Sequence, residues 1–309
     1  MLNFLTPLSL SFIAQIYLEL NTISGYNFGH SNIVQTAIKD TNCIVINDLK
    51  YSGLKGRVKS VKLSTYQALE KFGELTEGKL VDDSLEKNSF AQFDADGYYT
   101  KIEIYDTLCI VRERTEFKRY PKGCTISSKT WYADTLNEVN EFTYNFKDSI
   151  IEQRQYDSKN KLLFVEKSKL DKTGKLLESV KYNSEGRKTE FYMKVRAQDA
   201  PTTTTWHKYD EDGNVINTHI WVYNKKDRTQ IYSFIRYIIT DAVEVSSVDN
   251  FGTIEKFNEQ EDLLKSRSSN STVITTYKYD YDKNKNWTKR IEYLDGKPEK
   301  IFKRVIEYY

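Results

Sequence analysis

Few residue types in this chain could do focused chemistry, and their spacing is open-handed. His30, His207 and His219 are the three histidines in 309 residues. His207 and His219 stand almost symmetrically about "DEDGN" (210–214), so a hairpin turning there brings them near each other. Two histidines on one hairpin can hold a metal if a neighbouring strand adds a third ligand. Paired polar residues on a wet sheet face give the same pattern without one. "DADG" (94–97) and "DEDGN" lack the spaced oxygen ligands and closing Glu of a calcium loop, and read as Asp-Gly turns. Cys43, Cys109 and Cys124 are an odd number at wide spacing, with no Cys-x-x-Cys to suggest a zinc ribbon or a redox pair. In an exported chain Cys109 and Cys124 can pair across a hairpin; the alternative is three buried thiols. No G-x-S-x-G, H-E-x-x-H, Walker A or G-x-G-x-x-G phrase is present, and no pair among the 44 acidic residues stands out as acid and nucleophile. The expectation is no catalytic nucleophile, no metal and no cofactor.

Charge and composition narrow the class. The 46 basic and 44 acidic residues are interspersed, leaving +2, so no concentrated basic face invites nucleic acid. With 23 Tyr, 15 Phe and 4 Trp the chain is too aromatic for disorder. A low aliphatic share and a mean hydropathy of −0.64 lead to the expectation that this is no membrane protein. Residues 1–38 contain no Lys or Arg, and 8–18, "LSLSFIAQIYL", form an apolar run too short to span a bilayer. Followed by Ser24 and Gly25, that run reads as a signal peptide over 1–25; a buried amphipathic opening helix is the alternative. The division expected is 1–25, an N-terminal linker segment over 26–54, and a β domain over 55–309. After signal removal no membrane insertion is expected.

The elements that must position everything else announce themselves by a recurring phrase. Alternating residues end in an aromatic followed by Asp or Asn, then a polar turn, then alternation again. Instances are "FDADG" (93–97), "YNFKD" (144–148), "YDSKN" (156–160), "LDKTG" (170–174), "YNSEG" (182–186), "YDEDG" (209–213), "YNKKD" (223–227), "VDNFG" (248–252), "FNEQE" (257–261) and "YDKNK" (281–285). Asp or Asn at the first position can accept backbone N–H groups two residues on, and Gly three residues on takes positive φ. Asp295-Gly296 suits a two-residue type I′ hairpin. Spacings of 12 to 14 residues between several phrases equal one strand plus one turn. The fold class expected is therefore all-β: an antiparallel meander of more than ten strands, built as an open twisted sheet after a short apolar segment.

The closing stretch 277–309 alternates aromatic with charged residues. Read strictly by alternation, Trp287, Ile291 and Tyr293 share one face with Lys289, and Tyr277, Tyr279 and Tyr281 line one side of the preceding strand. Cross-strand aromatic and β-branched pairs, each worth roughly 0.2–1 kcal/mol, explain the pattern by packing.

Phrases such as Tyr209-Asp210-Glu211-Asp212-Gly213 and Tyr182-Asn183-Ser184-Glu185-Gly186 resemble the tyrosine–aspartate (YD) repeats of RHS proteins. The closing segment and "LKGRVKSV" (54–61) more closely resemble exported Bacteroidetes proteins of unknown function carrying such repeats. This chain has Lys or Asn where "GRL" is usual, and it is too short for a toxin-enclosing shell. The resemblance implies fold and a periplasmic, cell-envelope or secreted location; it brings no activity. The reading that follows is a non-catalytic binding or scaffold protein contacting an unknown protein or glycan, with Tyr277, Tyr279, Tyr281, Trp287 and Tyr293 as the contact residues. A polysaccharide- or peptidoglycan-directed hydrolase and an immunity-type, toxin-neutralising partner are the alternatives. A pocket of converging carboxylates would favour the hydrolase, and a flat sheet the binder.

Overall fold

The computed structural model describes residues 48–83, 86–120, 124–171, 176–195, 203–239 and 245–309. It opens with one helical turn, α1 (Asp48–Tyr51). Strands follow without interruption: β1 (Val58–Lys71), β2 (Glu74–Leu80), β3 (Ser89–Phe93), β4 (Tyr99–Tyr105), β5 (Val111–Arg119) and β6 (Thr125–Tyr132). Next come β7 (Thr135–Asn145), β8 (Ile150–Asp157), β9 (Leu162–Leu170), β10 (Leu176–Asn183), β11 (Lys188–Val195) and β12 (Thr203–Tyr209). The last are β13 (Val215–Asn224), β14 (Thr229–Ile239), β15 (Val245–Phe257), β16 (Leu263–Ser268), β17 (Ile274–Tyr281), β18 (Trp287–Leu294) and β19 (Lys297–Tyr308).

All-β holds; the open sheet does not. From β3 to β19 every strand pairs antiparallel with the next, and β1 then pairs with β19 on one edge and β3 on the other. Val58–Gln67 of β1 lie against Tyr308–Lys300 of β19. The ring closes as an 18-strand barrel, with β2 outside it as a hairpin on the far half of β1. Closure removes the two unpaired edges that an open meander exposes.

The turn chemistry runs as the phrase requires, and further. At Asp94, Asp106, Asp157, Asn183, Asp210, Asn258 and Asp282 the side-chain Oδ1 accepts the N–H groups two and four residues on, at 2.8–3.0 Å. The residue three on has positive φ at each: Gly97, Gly186 and Gly213, but also Cys109, Asn160, Glu261 and Lys285. The side-chain acceptor therefore sets the loop, with glycine only easing it. Asp295-Gly296 has positive φ at both positions, as do Phe72-Gly73 and Ala133-Asp134, which makes three type I′ hairpins.

Two phrases depart from expectation. "YNFKD" and "YNKKD" make a longer loop, in which Asn145 and Asn224 donate to Asp148 and Asp227 at 2.7 and 2.8 Å. "VDNFG" is no turn at all, because it lies inside β15. There Gly252 runs so close to the Tyr232 backbone that a Cβ would collide with it. "LDKTG" falls largely outside the described residues, as do residues 1–47.

At the barrel end that holds both ends of the ring, residues 48–57 tie together the strands on either side of the closing seam. Leu49 and Leu54 pack with Val58 and Phe93. Asp48 Oδ2 accepts Tyr99 N–H and the Arg119 guanidinium, both at 2.7 Å. On the β19 side of that seam Asn286 bonds Lys55 in both directions at 2.8 Å. Tyr309 reaches back to the Phe93 carbonyl at 2.7 Å.

Candidate binding surfaces

Period-two alternation gives every strand an inner and an outer face, and over β7–β9 the inner one is shut from water. In β7, β8 and β9 the inward residues Glu138, Asn140, Gln153, Gln155, Glu166 and Ser168 are all buried, with Gln155 at 0 % exposure. Eighteen strands leave room for an aqueous channel, but at these positions the interior is closed. The inward polar groups bond one another along the register. Asn140 donates to Ser128 at 3.3 Å and accepts from Gln153 at 3.0 Å, Gln155 donates to Glu138, and Ser179 donates to Glu166 at 2.5 Å. Burial raises the carboxyls in this row: Glu138 to about 7, helped by Glu113, and Glu255 on β15 to about 8. Such groups keep their protons in the fold well above the pH at which an ordinary carboxyl loses them.

Four of the five expected contact residues belong to that interior. Tyr277, Tyr279 and Tyr281 share the inward face, and their hydroxyls are pushed up by burial. Tyr279 donates to the Leu263 carbonyl at 2.6 Å, and Tyr281 to Asp262 at 2.8 Å. Trp287 is 4 % exposed, under Arg304 at 3.6 Å and Arg290 at 5.1 Å from its ring. Arg290, itself buried, also lies 3.9 Å from the Phe302 ring and pairs with Glu86 at 2.6 Å. Strict alternation misplaced Trp287, because the pairing of β17 with β18 slips by one between Asp280 and Tyr281. That bulge turns Trp287 inward with Arg290, while Tyr293 faces out with Lys278 5.0 Å from its ring. These residues pack the barrel; the flat exposed aromatic platform is not formed by them.

The histidines do not meet. Trp206 opposes His219 and His207 opposes Thr218, which puts the two imidazoles on opposite faces. His207 is hydrogen-bonded to Thr218 at 2.8 Å, and His219 to Tyr232 at 3.0 Å. Burial lowers both, His219 to about 4. Among the described residues no group of His, Cys, Asp and Glu could hold a metal. Cys109 is free and exposed, whereas Cys124 is disulfide-bonded, so these two do not pair; Cys43 lies outside the described residues.

The outer face divides into two kinds of wall. Over β4–β9 it is charged: Lys101, Glu103, Arg114, Glu116, Lys129, Glu141, Glu152, Arg154 and Lys167 point outward. Over β13–β15 its middle is aliphatic. There Val222 lies opposite Ile231, and Ile231 opposite Ile254, at 37, 44 and 42 % exposure. This aliphatic row was missed from the sequence. Its signal was there: "HIWVY" and "QIYSFI" are apolar at successive positions, where one-sided strands alternate.

A cleft opens at the other end of the barrel, lined by Asp82, Lys87, Ile104, Tyr105, Arg112, Glu113 and Tyr132. Burial raises Glu113, and Arg112 holds Asp82 and Asp106 at 3.7 and 3.6 Å.

No family model matches the chain, and no curated protein matches it. Among solved structures it is similar to a porin-like protein from Bacteroides uniformis at 10 % identity and TM-score 0.40, covering 82 % of this chain and 98 % of that one. A protein of unknown function from Bacteroides fragilis matches at 11 % and TM-score 0.28, over 40 % of this chain and 86 % of that one. The TcdB2–TccC3 structure matches at 10 % and TM-score 0.22, over 76 % of this chain and 16 % of that one. Likeness at this level transfers no activity, and the functional reading rests on the chain's own surfaces.

Proposed function

We propose that this chain is an exported β-barrel of the cell envelope that stands in water and acts by binding, without catalysis. The observation carrying the reading is the charged outer wall. A membrane-spanning barrel needs an apolar band around its whole circumference, and an Arg or Lys on the lipid face costs about 2–4 kcal/mol at the midplane. Several adjacent strands here carry such charges outward. The disulfide at Cys124 supports an oxidising compartment, and the charged outer wall and the rims are where binding is proposed.

Fractionation of native cells tests this. The protein is expected in the periplasmic or salt-washable envelope fraction with Cys124 oxidised. Release by detergent alone, or a reduced cytoplasmic pool, would overturn it.

The hydrolase reading keeps one supporting observation, the raised Glu113 facing the rim cleft with the raised Glu138 nearby in the electrostatics. Glycan release that vanishes in both Glu113→Gln and Glu138→Gln, with the fold intact, would replace binding by catalysis.

A further inference from the structure

The aliphatic row has a border that is basic on balance. One register step toward the barrel end holding α1, Thr229 opposes Lys256, and Lys256 opposes Lys265. Arg267 continues the aliphatic row itself, opposite Ile254. The adjoining turns add Lys225, Lys226 and Arg228 against Asp227, Glu259 and Glu261, with Glu259 paired to Arg228 at 3.8 Å. Among the described residues Lys256, Lys265 and Arg267 make no ion pair. Across β13, β14 and β15, within the row and the next step along it, Ile220, Ser233 and Gly252, no outward residue is charged.

We propose that this face is a peripheral contact for an anionic lipid surface, an inference that rests on the envelope reading above. Ile254 and Lys256 sit two residues apart on one side of β15, about 6.6 Å along the strand. A lysine stem can lie along that distance while its ammonium reaches the phosphate level and the isoleucine meets the acyl boundary. Peripheral binding needs both components, apolar area and attraction to anionic headgroups, and neither alone holds a protein to a bilayer. The face is aliphatic in its middle and net basic along its border. Those properties fit a fluid surface better than a shaped partner. The charge complementarity fixes the occupant as anionic.

The test is flotation of the full chain with vesicles of phosphatidylglycerol mixed with phosphatidylethanolamine, against pure phosphatidylcholine. The protein is expected to float with the first and stay behind with the second. Ile231→Asp with Ile254→Asp should abolish flotation. Lys256→Gln with Lys265→Gln should weaken it about 30-fold, as removal of two cations near an anionic surface implies. Val305→Asp, at the most exposed Val on β19, should float as the unaltered protein does, and thermal melts confirm that each variant is folded. Absence of flotation, or flotation equal in all folded variants, overturns the proposal. So does a concentration-dependent dimer lost in Ile231→Asp with Ile254→Asp and unaccompanied by vesicle binding, which would assign the face to a second copy. Fractionation separates the two readings: an envelope protein that does not float loses only the lipid contact, and a cytoplasmic one loses the envelope reading whether or not it floats.

Discussion

The wall of β17, β18, β19 and β1 and the wall of β12–β15 carry similar inner faces and different outer ones. Inside, the first stacks Tyr279 on Tyr281 at 5.9 Å and sets Tyr279 edge-on to Trp287 at 6.3 Å. The second stacks His219 on Trp221 at 5.7 Å and Trp221 on Tyr232 at 5.2 Å. Aromatic pairing of this kind adds about 0.5–1.5 kcal/mol beyond area. Outside, the first presents Lys278, Asp280, Lys289 and Lys303, while the second presents Val222, Ile231 and Ile254. Inner residues thus decide whether the barrel stands, and outer residues decide what it stands against. The polar partners differ as well. The first wall buries a charge that is paired, Arg290 with Glu86. The second buries Glu255 with no ion pair among the described residues, while both walls leave buried atoms without a hydrogen-bond partner: Arg290 Nε in the first, Glu255 Oε2 and Trp221 Nε1 in the second.

The largest effect is expected where the first wall is broken. Arg290→Ala removes a cation that faces Trp287, Tyr277 and Phe302 and strands Glu86. Breaking a buried pair from one side costs roughly 3–5 kcal/mol. Glu86 is a third exposed, so the lower end applies. Urea unfolding should show it as a lowered midpoint at unchanged slope. Trp287→Ala should cost a similar amount, about 3 kcal/mol. The double variant should fall short of the sum, because both remove one cluster. Full additivity would mean that the ring and the guanidinium stabilise the seam independently.

The second wall should respond to pH where the first does not. Glu255 is raised by burial to about 8, above the ordinary carboxyl value in the unfolded chain. Its neutral form is favoured in the fold, so its contribution is whole below the unfolded value. As pH rises from there through about 8, the unfolded state holds fewer protons than the folded one, and stability falls. Thermal melts should therefore drop between pH 5 and pH 8.5. Glu255→Gln, neutral throughout, should flatten that slope and raise the melting temperature at the alkaline end. An unchanged slope would show that Glu138 and Glu166, not Glu255, carry the response.

This contrast also marks how far the sequence can be read. The turns were legible because their chemistry is local: Asp210 and its N–H partners at positions 212 and 214 lie within five residues. The type I′ turn at Asp295-Gly296 was legible for the same reason. Closure was not, since it pairs β1 with a strand some 240 residues later, and neither "VKSVKLS" nor "IFKRVIEY" differs from an edge strand in composition. Trp287 was misplaced by a single bulge, and a one-residue slip exchanges faces. The five expected contact residues came from counting aromatics, which marks buried area as readily as a surface. The row on β13–β15 needed the opposite cue, a strand apolar on both sides. "VDNFG" shows that cue's limit: its composition is a turn's, yet its neighbours hold it extended.

Smaller effects are expected at the turns. Lys285 and Glu261 hold φ of 63° and 75°, a region that charges an L-residue about 1–2 kcal/mol. Glycine relieves that strain but gives back part in unfolded-chain entropy. Lys285→Gly should therefore stabilise by roughly 0.5 kcal/mol, read as a small rise in melting temperature. Gly213→Ala, at φ 89°, should destabilise by about 1 kcal/mol. The pair of signs tests whether Asp282 and Asp210 hold their loops alike; destabilisation by both substitutions would show that Lys285 contributes a contact that outweighs its strain.

The smallest effect on stability, and the sharpest on behaviour, is expected on the outer faces. Ile231→Thr and Ile254→Thr keep the β-branched shape that suits an extended strand while replacing a methyl-bearing surface with a hydroxyl. Both residues are more than a third exposed, so each should shift unfolding by no more than about 0.5 kcal/mol. Val305→Thr on the charged wall, at 65 % exposure, should be equally quiet. Hydrophobic-interaction chromatography separates them. Val305 stands alone between Lys303 and Glu307 on its face, whereas Ile231 lies between Val222 and Ile254 in one register row. Retention scales with contiguous apolar area, so removing the middle of a row should shorten it far more than removing an isolated residue. Equal loss of retention from Ile231→Thr and Val305→Thr would mean that the row does not act as one surface, and the distinction between the two walls would then rest on their interiors alone.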